Sequence, residues 1–200
     1  MGRSKLFQIQ DIHKGLCNLL KNQGLGNFSM QVVAKELDIP IGSLYHRYHS
    51  KVDMMADLWL SIISSFQNDF EKSIKSDLDP MLSGKVAAVQ LARWMEKEPE
   101  FAYLLSNVRK EDLNYEEWPP TYRSIERRQK KQLRKIWNDW ASRIKKSKLN
   151  EEEFFIFKTV IVDIPIHICK PYIGKKFPSY IFKFIEETFQ HQISNLKLNQ

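Results

Sequence analysis

The chain has 200 residues, of which 42% are hydrophobic and 28% charged, so it can form an ordinary folded core and is not compositionally disordered. No stretch approaches the roughly eighteen uncharged apolar residues that a membrane span needs, and the polar N-terminus is unlike a signal peptide, so we expect a cytoplasmic protein. Cys17 and Cys169 stand alone without metal-ligand spacing, which predicts buried, reduced thiols.

The formal net charge of +7 favours acidic partners such as nucleic acid or an anionic membrane. Residues 1–51 carry seven Lys/Arg against three Asp/Glu, and residues 121–148 carry eleven against two. The excess is therefore concentrated in two regions, and each needs an explanation.

Apolar residues from Ile9 to Leu20 follow the three-four spacing of an amphipathic helix, which Gly24 and Gly26 should end. Ser29 then fits the N-cap of a second helix. Asp38 tolerates a left-handed turn conformation, and a third helix should follow it.

Pro40 suits the first turn of that third helix, with Leu44 and Tyr48 on its inner face. Ser50 fits the cap of a longer fourth helix, which should stop near residues 77–84. The order of elements is helix, tight turn, helix, within the first quarter of the chain.

Helical patterns recur from residue 84, and residues 121–148 read as one long basic helix. Two apolar helices, at about 151–170 and 178–197, should be separated by the Pro- and Gly-containing segment 171–178. The stretch "FIFKTVIVDIPIHI" is ambiguous because β-branched residues favour strands, yet no partner strand follows, so we interpret it as a buried helix. The predicted fold class is all-α.

Two short helices joined by a tight turn are the elements of the DNA-binding helix-turn-helix, whose second helix enters the major groove. On spacing alone, a helical hairpin with a solvated basic face is an equal alternative. The segment "VVAKELDIPIGSLYHRYHSKVDMM" resembles the DNA-binding segment of the tetracycline-repressor (TetR) family, in residue types, spacing and N-terminal position. The rest of the chain is similar to that family in helical character and length.

The resemblance implies a DNA-binding domain at residues 1–50, with an N-terminal three-helix helix-turn-helix, and a helical effector-binding and dimerisation domain at 51–200. It implies contacts with double-stranded DNA from nine residues: Ser29, Gln31, Ile41, Gly42, Ser43, Tyr45, His46, Arg47 and Lys51.

Two departures from the family pattern matter: Asp38 replaces the usual turn glycine, and Pro40 replaces a small polar cap. Pro40 and Ile41 remove polar groups from the groove face, so we expect apolar contacts, such as those to thymine methyls, to contribute to sequence choice. Arg3 and Lys5 either form a basic arm that reaches DNA or belong to a disordered terminus.

The resemblance also implies a homodimer that binds a pseudo-palindromic operator and is released by a small-molecule effector. An apolar stripe on the last helix is the predicted dimer surface, with an intramolecular core as the alternative: Ile181, Phe182, Ile185, Phe189 and Ile193. Aromatic and polar residues expected around a central effector cavity, each of which has a core role as its alternative, are Trp94, Phe101, Tyr103, Trp118, Tyr122, Trp137, Phe155 and His167.

For the basic helix we favour a solvated face over pairing with acidic segments such as 116–117 and 151–153, or guidance of an anionic effector. No P-loop, dinucleotide turn, nucleophile elbow or HExxH motif is present, so we expect no enzymatic activity, no cofactor and no metal site. Two alternatives remain: a protein-interaction adaptor that does not bind DNA, and a constitutive regulator without a small-molecule effector. Salt-dependent binding to specific DNA would separate the adaptor from a regulator.

Overall fold

The computed structural model describes residues 8–26, 28–75, 77–145 and 147–198, with side chains as far as residue 194. This part of the chain is helical and contains no β-strand, which confirms the predicted all-α class. Its helices are α1 Ile9–Gln23, α2 Met30–Glu36, α3 Ile41–Arg47, α4 Lys51–Ile74, α5 Pro80–Lys97, α6 Pro99–Asn107, α7 Pro120–Lys145, α8 Glu151–Lys158, α9 Ile164–Cys169 and α10 Ser179–Leu198. Residues 3 and 5, the predicted basic arm, lie outside the described range.

The first three helices begin and end where the local signals predict. Gly24 ends α1 with a φ of 72°, a conformation that costs glycine little. The Ser29 hydroxyl caps α2 by accepting a hydrogen bond from the Val32 N–H at 3.2 Å. Asp38 makes the turn with a φ of 51°, and Pro40 is the N-cap of α3. The predicted helix, turn and helix are therefore present.

The fourth and fifth helices are both capped by side chains. Ser50 accepts from the Asp53 N–H at 3.1 Å and starts α4 as predicted. Asp79 accepts from the N–H groups of Met81 and Leu82, and Pro80 occupies the first turn. α5 thus starts four residues before residue 84, where the sequence predicted it. The Asp-Pro pair is the start signal of α5 and not the end of α4.

The predicted helix at 151–170 is helical but not continuous. The chain passes from α8 through a π-helical turn at Thr159–Asp163 into α9. This turn contains a run of β-branched residues, which pack poorly in a regular helix, and Pro165 follows it without an N–H to donate. The segment keeps its buried position, with Val160 and Ile161 in the core.

The larger core is built around α5, which packs against α4, α7, α9 and α10. Aromatic rings from α4, α7 and α8 fill one part of this core. The Trp137 ring lies 5.0 Å from Phe157 and 6.1 Å from Phe70, centroid to centroid, and Trp140 lies 4.7 Å from Phe157. Burial of several such rings supplies much of the apolar stabilisation of this part of the chain.

The helix-turn-helix is joined to this body through α1 and α4. α1 packs against α6, where Lys14 pairs with Glu98 at 2.9 Å, and α4 runs from the end of the helix-turn-helix into the body. Contacts therefore cross the predicted boundary at residue 50, and the division into domains at that point stays a prediction.

The apolar stripe of the last helix packs into the chain's own core, as in the intramolecular alternative, and its role in a dimer interface stays a prediction. Ile181, Ile185, Phe189 and Ile193 are all buried, and Phe182 packs against the same core. The spacing correctly identified a buried face, but α5 and the α8–α9 segment already cover that face within the chain.

Cys17 and Cys169 are free and buried, as predicted, and burial raises the pKa of each thiol to about 12. None of the described helices is both long and apolar enough to cross a membrane.

Candidate nucleic-acid interface

The third helix divides into an inner and an outer face. Leu44 and Tyr48 are buried, as predicted, and hold the helix against its neighbours. The outer face carries the side chains that the sequence assigns to DNA: Ile41, Ser43, Tyr45, His46 and Arg47, all exposed. Ile41 and Tyr45 are 41% and 42% exposed, so two large side chains stand open to a partner on this face.

Gly42 and Gln31 extend this surface. A methyl group added at Gly42 would meet no atom within 4 Å, so the backbone there is open to a close partner. Gln31 is exposed in the first turn of α2, next to the half-buried cap Ser29. Contact with DNA stays a prediction for each of these residues.

Lys51, the first residue of α4, is half-buried rather than free in solvent. Its ammonium donates a hydrogen bond to the Leu25 carbonyl at 3.2 Å and lies 5.5 Å from the centre of the Phe28 ring. One of its three donors therefore fixes the connection between α1 and α2, and two remain for a phosphate. The predicted phosphate contact is compatible with this geometry and stays a prediction.

Sequence reasoning missed a buried polar cluster behind the third helix. Tyr48 donates to Asp57 Oδ2 at 2.8 Å, and His13 Nε2 lies 3.0 Å from the same oxygen. The three residues come from the end of α3, from α4 and from α1. The only local sign of the cluster is a histidine on the apolar face of α1, which is uninformative without its partner 44 residues away.

The eight candidate effector residues lie in different surroundings. Phe101 and Tyr103 face α1, where the ammonium groups of Lys14 and Lys21 lie over their rings. Phe155 is 67% exposed, and the exposed His167 has Nδ1 only 2.7 Å from the Asp163 carbonyl oxygen. A common effector cavity lined by all eight residues stays a prediction.

The remaining four are in protein contacts. The Trp94 indole donates to Ser65 Oγ at 3.0 Å, and the Trp118 indole donates to the Leu113 carbonyl at 2.9 Å. Tyr122 is half-buried at the start of α7, and Trp137 is almost fully buried. Its indole N–H differs from those of Trp94 and Trp118, because it has no hydrogen-bond partner among the described residues.

The basic helix is α7, and part of its charge is neutralised locally. Lys130 pairs with the buried Glu126 at 2.7 Å. Arg134 pairs with Glu151, and Lys145 pairs with Glu153. The pairing with the acidic segment 151–153, one of the alternatives for this helix, is therefore present. Other cations of this helix are exposed to solvent, among them Arg127, Arg128 and Lys131.

A helix-turn-helix with an exposed second helix, carried on a larger body of helices, is an architecture of DNA-binding transcriptional regulators. No known family's sequence profile matches the chain, and no curated protein matches it either. Solved structures do match, and they identify the fold as that of the TetR-family transcriptional regulators.

A TetR-family transcription regulator from Marinobacter aquaeolei superimposes with a TM-score of 0.70 at 16% identity, over 92% of each chain. The ketosteroid transcriptional regulator of Mycobacterium tuberculosis gives 0.67 at 15% identity, over 96% of each chain. A TetR-family regulator from Haemophilus influenzae gives 0.64 at 17% identity, over 91% of this chain and 94% of its own. The resemblance inferred from residues 32–55 is confirmed at the level of the fold.

Proposed function

We propose that the chain is a DNA-binding transcriptional regulator that binds a pseudo-palindromic operator as a homodimer and is released from it by a small-molecule effector. The observation that supports this most directly is the outer face of α3, where polar, basic and two large apolar side chains are exposed together. A helix that presents such groups outward while Leu44 and Tyr48 fix its inner face has what major-groove recognition needs.

The experiment that tests this function is to recover the genomic DNA that the purified chain binds and to measure the salt dependence of the complex. A specific fragment, bound with an affinity that falls steeply as salt rises, is expected. If no fragment is enriched above random DNA, the adaptor alternative would replace the regulator. Compounds are then screened for release of the recovered fragment.

For the homodimer we propose the outer face of α10 and not its buried stripe. Tyr180 and Phe184 are 61% and 51% exposed, and they line a shallow groove of about 570 Å³. Lys183 and Glu187 add a polar rim, with Lys183 Nζ 3.7 Å from Glu187 Oε1. Exposed aromatic residues with a charged rim fit a two-fold interface in which each copy offers the same surface, because the lysine of one copy can face the glutamate of the other.

Replacing Phe184 by glutamate is expected to convert a dimer into monomers, since the new carboxylate would be buried without a partner. Sedimentation velocity at micromolar concentration measures this directly. Leu78→Glu is the matched control, because Leu78 is 42% exposed but lies in the connection between α4 and α5. A Phe184→Glu chain that sediments like the parent would rule out this surface.

For the effector we propose a site near the indole of Trp137. A buried N–H without an acceptor is costly in a folded protein, so a carbonyl or hydroxyl oxygen of a ligand would gain a hydrogen bond there. Trp94, Trp118 and Trp140 have acceptors within the chain, the last at 2.9 Å from the Pro80 carbonyl, so they have no such vacant donor.

Trp137→Phe is expected to cost less stability than Trp94→Phe, by about 1 kcal/mol, because only the Trp94 change breaks a hydrogen bond. Chemical denaturation of both variants measures the difference. Once a releasing compound is known, Trp137→Phe should weaken release and Trp94→Phe should not. Equal losses of stability would mean that the Trp137 N–H has a partner in solution.

A further inference from the structure

A polar cluster of two buried side chains and a carboxylate that is 34% exposed connects the end of the recognition helix to the two helices behind it. Asp57 Oδ2 on α4 accepts a hydrogen bond from the Tyr48 hydroxyl at 2.8 Å, and lies 3.0 Å from Nε2 of His13 on α1. Tyr48 and His13 are 2% and 1% exposed. We call these three residues the polar lock.

The proton positions in the lock follow from its chemistry. An ionised carboxylate only accepts hydrogen bonds, so the Tyr48 hydroxyl and the His13 Nε2–H must both be donors. Nδ1 of His13 is buried and has no hydrogen-bond partner within the described chain. One oxygen therefore holds two donors from two other helices.

The Asp57 carboxylate stays ionised at neutral pH. Burial by itself raises the pKa of Asp57, but the hydrogen bonds from His13 and Tyr48 and the positive charge of Arg47 outweigh burial and hold the pKa below its ordinary value. A carboxylate with a lowered folded-state pKa stabilises the fold above about pH 4, and this contribution is lost only as the pH falls through the lowered value. The Asp57 carboxylate is thus ionised and able to accept both hydrogen bonds throughout the neutral pH range.

The position of the lock explains what it can control. Tyr48 is the C-cap of α3, its N–H bonds to the Leu44 carbonyl at 2.9 Å, and it directly follows Arg47 on the outer face. α3 has only seven residues, and its main helix partner is α2. Burial raises the pKa of Tyr122 on α7, and the negative charges of Asp57 and Asp53 raise it further.

We infer that Tyr48, Asp57 and His13 are positioning residues for DNA recognition: the lock sets the angle of α3 against α1 and α4, and operator affinity depends on it although none of the three touches DNA. This inference rests on the proposed function. Non-specific binding depends mainly on phosphate contacts and tolerates small shifts of the helix, whereas base readout requires the correct angle.

The test measures binding of each variant to the operator fragment recovered with the parent chain, and to a fragment of equal length and unrelated sequence. Tyr48→Phe keeps the ring and removes only the hydroxyl. It should lower operator affinity about tenfold, the usual effect of losing a hydrogen bond to a charged group, and leave unrelated DNA bound as before. Tyr115→Phe, which removes a hydroxyl in the connection between α6 and α7, should change neither.

Two substitutions at His13 separate positioning from packing. Glutamine can place an N–H donor near the former Nε2, whereas leucine fills similar space without a donor. We expect His13→Gln to retain much more operator affinity than His13→Leu when both are folded by circular dichroism at the assay temperature.

The outcomes are distinguishable. If the parent chain selects no specific fragment, the proposed function fails, and the inference fails with it. If the parent selects a fragment and folded Tyr48→Phe binds it equally well, only the lock is overturned. Equal loss of operator and unrelated DNA would also overturn it, because general loss of structure would then explain the effect.

Discussion

Alanine at both Tyr45 and Lys51 is expected to lower the affinity for specific DNA about a hundredfold while the helices remain folded. Tyr45 is 42% exposed on the outer face of α3, and Lys51 lies at the N-terminus of α4, where the helix dipole already favours a phosphate. Neither side chain fills the core. Each single change should weaken operator binding about tenfold, and the double change about a hundredfold.

A gel-shift titration at several salt concentrations measures affinity and the number of phosphate contacts together. Loss of one lysine–phosphate contact should lower the slope of log K against log salt by about 1. Lys97→Ala is the control, because Lys97 is exposed at the end of α5, outside the helix-turn-helix. Normal operator binding by both single variants would contradict the recognition-helix assignment.

The salt slope also separates two roles for Lys51. Its hydrogen bond to the Leu25 carbonyl shows that it supports the connection between α1 and α2. If that support were its whole contribution, Lys51→Ala would weaken binding without changing the slope. A lower slope would show that the ammonium also neutralises a phosphate.

Features that depend on a few neighbouring residues could be predicted from the sequence. The caps at Ser29 and Ser50 and the left-handed turn at Asp38 are encoded by the residues that form them, and all three are present. The inner and outer faces of α3 followed from the three-four spacing for the same reason.

Features that depend on distant partners could not be predicted. The stripe on α10 shows that one face is buried, but spacing cannot tell whether the chain itself or a second copy covers it. His13 and Asp57 are 44 residues apart, so nothing local to either one marks the polar lock. For a similar reason, spacing could not tell which neighbour each aromatic effector candidate faces.

The close packing of α5 against α7 and α10 makes a prediction about stability. Gly84 is buried in α5, and a β-carbon added there would lie 2.5 Å from Cζ2 of Trp140 and 2.6 Å from Cζ of Phe189. Both rings belong to the buried aromatic cluster, with their centroids 6.0 Å apart, so neither can move without disturbing the other. The glycine is therefore required by the approach of two rigid side chains and not by its backbone angles.

Gly84→Ala is expected to lower the free energy of unfolding by about 1–3 kcal/mol, since overpacking outweighs the gain in helix propensity. Gly42→Ala is the matched control: it is also a helical glycine, but the new methyl group meets nothing within 4 Å, so stability should rise by about 0.5–1 kcal/mol. Phe189→Leu shortens one of the two obstructing side chains, so adding it to Gly84→Ala should cost less than the two single changes together. Urea denaturation of the four variants measures these terms, and a Gly84→Ala chain as stable as the parent would mean that α5 stands farther from α7 and α10 than the contacts at Gly84 require.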